Sequence, residues 1–175
     1  MDIIIKEELV CTDAGEIAQL LVQAFPDFPA GKTHTNQIPS FRLLCRAESQ
    51  KLVGHIAVHY RLMTLGERSI KVFGCSDVCV EASAQNQGVA KNMIHHLEQV
   101  AKSSGIDFFI LIAWNTAVYE ALGFQACDNP CRWLIMQNNQ SLGLAQRSIP
   151  QGLMIKPLGK KKWTNELLDF LGPIF

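Results

Sequence analysis

The chain has no excess of either charge: Lys+Arg 16 and Asp+Glu 16 cancel, and charged residues make up only 18% of the 175. A neutral surface has little electrostatic pull on a polyanion, so no nucleic acid and no anionic membrane is expected as partner, and a small molecule is. No run of about 18 apolar residues occurs, so no membrane-spanning helix is expected. The opening Asp2-Ile3-Ile4-Ile5-Lys6 is too short and too charged for a signal peptide, which makes a cytoplasmic location the expectation. There is no Cys-x-x-Cys. The six cysteines (Cys11, Cys45, Cys75, Cys79, Cys127, Cys131) include two Cys-x-x-x-Cys pairs, but no histidine pair follows them at zinc-finger spacing. No metal site is expected, and all six read as free, buried thiols in a reducing compartment. There is no internal repeat and no sign of a second domain. What is present is a 48% hydrophobic chain, long enough to bury one enzyme-sized core over 1–175.

Apolar periodicity lays out the elements. Asp2 to Leu9 reads as a first strand. Thr12 or Asp13 caps a helix whose Ile17, Leu20, Leu21 and Ala24 share a face, and the helix ends by Pro26. Phe25 to Ser40 is a connection longer than most in compact domains, which marks it as the first choice for substrate contact, with Phe25, Asp27, Phe28 and His34 as its candidate residues. Strands Phe41 to Ala47, Leu52 to about Thr64 and Ser69 to Glu81 make an antiparallel meander. A helix follows from Gly88 to about Ser103, then a strand from Phe108 to Ala113 and a short helix ending before Gly123-Phe124. Two last strands are read at 131–136 and 152–158, with a loop rich in Asn, Gln and Ser between them. The fold class is α/β (α+β), a mostly antiparallel mixed sheet of about seven strands flanked by helices.

The most informative stretch is Gln85-Asn86-Gln87-Gly88-Val89-Ala90. It follows the strand end Val78-Cys79-Val80 and opens a helix whose Val89, Met93, Ile94, Leu97, Val100 and Ala101 recur at helical spacing. A helix start leaves backbone N–H groups without intrahelical partners and carries partial positive charge, and Gly88 lets an anion approach without a Cβ in the way. A pyrophosphate fits there.

Gln/Arg-x-x-Gly-x-Gly/Ala between strand and helix, matched at Gln85, Gly88 and Ala90, resembles the acyl-coenzyme A loop of the GCN5-related N-acetyltransferase (GNAT) superfamily. Tyr119-Glu120-Ala121-Leu122-Gly123-Phe124 resembles the Tyr-Glu-x-x-Gly-Phe that closes the next helix there. The element order is also that of the family. Within it the layout is most similar to the branch of aminoglycoside 2'-N-acetyltransferases and the rhizobial acyltransferase of nodulation: Gly54 to Arg61, Asp-Val-Cys-Val before the loop, Met-Ile-Lys-Pro-Leu, and a tail with Trp163 and Asp169.

The resemblance implies acetyl-CoA as cofactor. The backbone of Val78, Cys79 and Val80 would hold the pantetheine arm, and the amides of Gln85, Asn86, Gln87, Gly88, Val89, Ala90 and Lys91 the pyrophosphate. Asn115, four residues before the tyrosine where many members have seven, would reach the cofactor from a shorter turn. Tyr119 would act as general acid, and Asp77 would deprotonate the amine through water, beside Ser76. His55 and His59, at i and i+4 on one strand, face the same way as substrate binders, bases or ordinary sheet residues; His95-His96 read as surface or half-buried. Asp169 and the carboxylate of Phe175 are counterparts of an acidic, substrate-contacting tail, whereas Leu167, Leu168, Phe170, Leu171 and Ile174 argue for packing against the sheet or a second subunit of a homodimer. Lys160-Lys161-Lys162 reads as a solvated loop. The function implied is direct acetyl transfer to a small-molecule primary amine in a ternary complex. The alternatives are a non-catalytic acyl-CoA sensor and an acyltransferase using a longer chain. Asp27 is the only carboxylate between Phe25 and Pro39, which argues mildly against a polycationic aminoglycoside.

Overall fold

Strand β1 (Asp2–Glu7) pairs antiparallel with β2 (Phe41–Arg46), and β2 pairs antiparallel with β3 (Leu52–Leu65) in the register Phe41↔Val58 to Cys45↔Gly54. The computed structural model describes residues 1–35, 37–149 and 152–175, so Asn36 of the Phe25 to Ser40 connection lies outside the described residues. The chain divides into two compact units, Met1–His59 with Cys75–Gln99 and Tyr60–Gly74 with Val100–Phe175. Strands β3 and β4 (Arg68–Val80) and helix α2 (Val89–Ser103) contribute residues to both.

In the first unit, helix α1 (Ala14–Ala24) buries Ile17, Leu20 and Leu21 at three- and four-residue spacing onto a core shared with Leu44, Leu52 and Cys79. Asp13 precedes it, but the Asp13 carboxylate pairs with Arg46 at 2.6 Å and makes no capping bond to the helix. The helix stops at Phe25, which is extended as a residue before proline must be, and Phe25 and Phe28 then pack against this core.

The second unit is built on the strand order β6-β9-β5-β4-β3-β10-β7-β8, with β5 at Phe108–Ile112, β6 at Gln125–Cys127, β7 at Cys131–Gln137, β8 at Gln140–Arg147, β9 at Leu153–Pro157 and β10 at Leu168–Pro173. β4 and β5 run parallel over Val72–Gly74. Met63, Leu65, Ile70, Val72, Phe108, Ile110, Leu168 and Phe170 form its core. Helix α3 (Thr116–Glu120) connects β5 to β6.

The class is α/β, dominated by sheet with few helices, but ten strands are described where the sequence leads one to expect about seven. β6 is three residues long and gives no periodic signal. β8 is an edge strand with almost every side chain exposed, so its pairing with β7 rests on backbone hydrogen bonds and on a turn at Asn138-Asn139, both with positive φ (50° and 61°). β10 contains Gly172 and Pro173 and reads as a tail, yet it pairs with β3 and β7. The first strand also stops at Glu7, and Glu8–Val10 form a short 3-10 helix where strand was expected to continue to Leu9.

Candidate functional site

The loop after β4 is set from both ends. Glu81 N–H donates to the Val53 carbonyl (2.9 Å), Gln85 Nε2 donates back to the Val80 carbonyl (3.0 Å), and Gln87 Nε2 to the Ser83 carbonyl (2.9 Å). These bonds fold the two glutamine side chains onto the loop and leave Gln85 to Gly88 exposed. Asn86 (φ 60°) and Gly88 (φ 78°) are left-handed, and a Cβ built on Gly88 would meet no atom within 4 Å. The first α2 bond runs from Asn92 N–H to the Gly88 carbonyl (2.9 Å), so the amides of Val89 to Lys91 precede the helical ladder and have no acceptor within it. Val89, Met93, Ile94 and Leu97 are buried and fix the helix, helped by Gly54, where any Cβ would lie 2.6 Å from Met93 Sδ. Unpaired amides at a helix start around an open glycine fit a pyrophosphate.

Three residues before the end of this strand, Asp77 has φ 51°, a left-handed residue inside a strand and one of the strained points of the chain. Burial raises the Asp77 carboxyl above its ordinary value, opposed by the Arg42 guanidinium, by His34 and by a hydrogen bond from Ser76. Its carbonyl is 2.9 Å from His55 Nδ1. His59 Nε2 is 3.1 Å from Ser76 Oγ. Ser76, Asp77, His34, His55 and His59 are thus gathered in one neighbourhood of the first unit, along with Arg42, which reading the sequence did not single out. Its signal was a lone arginine inside the apolar run Phe41 to Cys45.

His55 is fully buried, with its pKa lowered to about 3, first by desolvation. It neither binds substrate nor serves as a base, because both ring nitrogens are engaged. The sign of its contribution follows: between about 6.5 and 3 the unfolded chain holds a proton that folded His55 does not, so stability is full above pH 6.5 and falls as the pH drops toward 3. Asp77, whose carboxyl is raised, opposes this slope just above pH 3.8. Urea midpoints at pH 7 and pH 5 should differ, and the difference should shrink in His55→Asn.

In the second unit, Tyr119 sits half-buried on α3. Gly123 (φ 84°) turns the chain out of the helix, and buried Phe124 packs edge-on to the Tyr119 ring with centroids 5.8 Å apart, while stacking on Phe109 at 6.2 Å. The motif is thus a glycine turn that plugs an aromatic under the tyrosine and sets its ring. Asn115 is exposed at the start of α3, with no side-chain capping bond. His95 is exposed and His96 half-buried.

The tail corrects one expectation and qualifies others. Asp169 lies in β10, 7% exposed, with its carboxylate paired to Arg132 and accepting the Leu171 N–H (2.9 Å), so it is not an open carboxylate for a substrate. The Phe175 ring packs against Phe170 (5.9 Å) and over Gly74, where a Cβ would lie 2.2 Å from the ring. Arg61 donates to the carbonyls of Phe170 (2.7 Å) and Pro173 (2.6 Å) and holds the segment down. Lys161 is not simply solvated: its Nζ reaches Asp107 Oδ2 at 3.0 Å. In the Phe25 to Ser40 connection, Asp27 is exposed, whereas Phe25 and Phe28 pack on each other with centroids 6.4 Å apart.

The family model described as an acetyltransferase (GNAT) domain matches residues 9–127, which include both the loop and the Tyr119 motif. No curated protein matches the sequence significantly. Among solved structures, a GNAT family N-acetyltransferase from Escherichia coli in complex with CoA is similar at 14% identity, over 96% of this chain and 89% of that one, with a TM-score of 0.66. An aminoglycoside 6'-N-acetyltransferase complexed with coenzyme A is similar at 14% identity, over 93% and 99%, with a TM-score of 0.63. Eis1 from Mycobacterium abscessus is similar at 12% identity over 75% of this chain, which spans only 33% of that longer protein, with a TM-score of 0.64. At these identities the likeness is one of fold. Since the family model covers more than half of the chain and takes in its two motifs, this protein belongs to the GNAT acetyltransferase family.

Proposed function

We propose that this protein is an N-acetyltransferase that moves an acetyl group from acetyl-CoA to a primary amine of a small molecule by direct transfer in a ternary complex. The observation that carries the reading is Gly88, left-handed with open space above it, at the start of a 15-residue helix inside the family-matched region. Structural neighbours crystallised with coenzyme A support the choice of cofactor. When bound, the thioester supplies an already activated acyl group. The amides of Gln85 to Lys91 would hold the pyrophosphate, and the backbone of Val78 to Val80 would orient the pantetheine arm. Asp77 takes a proton at its carboxylate from the acceptor ammonium, directly or through one water, and Tyr119 holds a proton at Oη for the departing group. The half-buried position of Asp77 raises its basicity toward that task. Phe25 to Ser40 frames the acceptor, and with Asp27 as its only carboxylate before Pro39 it favours an amine of low charge.

Thiol release from acetyl-CoA against a panel of primary amines tests this. Tyr119→Phe is expected to lower turnover by roughly 10-fold to 1000-fold with little change in coenzyme A affinity. A cofactor-stabilised protein that releases no thiol with any amine would overturn the enzyme reading in favour of a binding module.

A further inference from the structure

Arg42 is 1% exposed, a guanidinium taken almost wholly out of water in the middle of β2. Its partners account for its burial. Nε and Nη2 make a fork to the Glu8 carboxylate (2.5 and 2.9 Å), while Nη1 donates to the Thr33 carbonyl (3.0 Å) and lies 2.9 Å from His55 Nε2. An arginine has only donors, so His55 Nε2 must be the bare, accepting nitrogen and Nδ1 must carry the proton. That proton points to the carbonyl of Asp77, 2.9 Å away, at the strained residue of β4. One line of hydrogen bonds thus runs from Glu8 through Arg42 and a tautomer-locked His55 to the Asp77 backbone, and a branch reaches the Phe25 to Ser40 connection at Thr33.

We infer that Arg42 is the positioning residue of the site: through His55 it holds the Asp77 backbone in its left-handed turn, and through Thr33 it ties down the Phe25 to Ser40 connection. The functional part of this inference rests on the proposal that Asp77 is the base; the linkage itself does not. Glu8 is the counterweight. By neutralising part of the Arg42 charge through that fork, it leaves Asp77 more basic than a bare arginine would. The charged and titratable groups facing Asp77 are Arg42 from β2, His34 from the acceptor loop, His55 from β3, and Cys79 on its own strand, with Ser76 donating a hydrogen bond and His59 behind Ser76.

Nuclear magnetic resonance on the apo protein tests this without any activity. The His55 imidazole nitrogens should show a protonated Nδ1 and a bare Nε2, unchanged from pH 8 to pH 5. The Asp77 carboxyl carbon should titrate lower in Glu8→Gln than in the wild type, by about half a pH unit. In Arg42→Met it should titrate higher by roughly one pH unit, the size expected when a nearby opposite charge is removed. Glu8 lies at the rim, with a side chain 20% exposed, so its variant should fold even if Arg42→Met does not. A protonated Nε2 on His55, or an Asp77 titration unmoved in folded Glu8→Gln, would overturn the inference. In the acetylation assay the acidic limb of kcat/KM should move with the same signs, and Arg42→Lys should keep the limb while losing turnover, because it restores the charge but not the fork. Titration shifts as expected with no thiol release from any amine would leave the linkage standing and sink the enzyme proposal instead.

Discussion

Replacing Gly88 with valine should weaken coenzyme A binding by about 100-fold or more while the protein stays folded. Two effects act together. Gly88 has φ 78°, which an L residue adopts only at a cost of about 1–2 kcal/mol, and a β-branched residue least readily. The Cβ itself would meet no protein atom within 4 Å, so the fold need not rearrange around it. What the valine would occupy is the open space at the start of α2, where the proposed pyrophosphate site lies. Two hydrogen bonds to a charged oxygen, at about 1.5–3 kcal/mol each, are enough for a 100-fold loss. Isothermal titration with coenzyme A decides it, and thermal melts of the free protein should fall by only a few degrees. Gly88→Ala separates the terms, since it carries backbone strain with less obstruction and should lie between the two. Unchanged affinity in a folded valine variant would place the cofactor elsewhere.

Phe170→Ala is expected to be the most destabilising single change in the tail. The side chain is fully buried in the core of the second unit, and a phenylalanine lost from such a place costs about 3–5 kcal/mol. For a chain of this size each kcal/mol corresponds to about 2–4 °C, so the melting temperature should drop by about 10 °C. Removing the whole segment from Phe170 should do more. Arg61 would lose the carbonyls of Phe170 and Pro173, and half-buried donors left without acceptors cost about 1–3 kcal/mol apiece. Because the segment is held by packing and backbone pairing, coenzyme A binding and amine turnover should decline together with stability. A truncated protein that melts as before but shows a raised KM for the amine alone would overturn this account and return the tail to the acceptor site.

The loop was legible in the sequence because its chemistry is local. A buried strand, a glycine and an amphipathic helix in immediate succession place unpaired amides around an open position whatever surrounds them, and Gly88 and α2 lie where the periodicity put them. The same holds for Gly123-Phe124, where a glycine turn and an aromatic plug follow within about one helical turn of Tyr119. Helix α1 was equally plain from Ile17, Leu20 and Leu21. By contrast, β8 and β10 are strands only because a neighbour offers backbone groups to pair with. Their alternation extends no further than Leu142-Gly143-Leu144 and Leu168-Asp169-Phe170, too short to mark a strand, and pairing between distant segments leaves no local trace. Asp169 reads as a free acid along the chain, yet Arg132, 37 residues away, neutralises it. The glycine loop before α2, the tyrosine motif and the family could therefore be read from residue order alone. Which polar groups face one another could not: that Arg42 is buried between Glu8 and His55, that His55 has no lone pair to spare, and that Asp77 stands on a strained turn all emerge on folding. Such assignments depend on side chains brought together across strands, and their distance along the chain gives no clue to it.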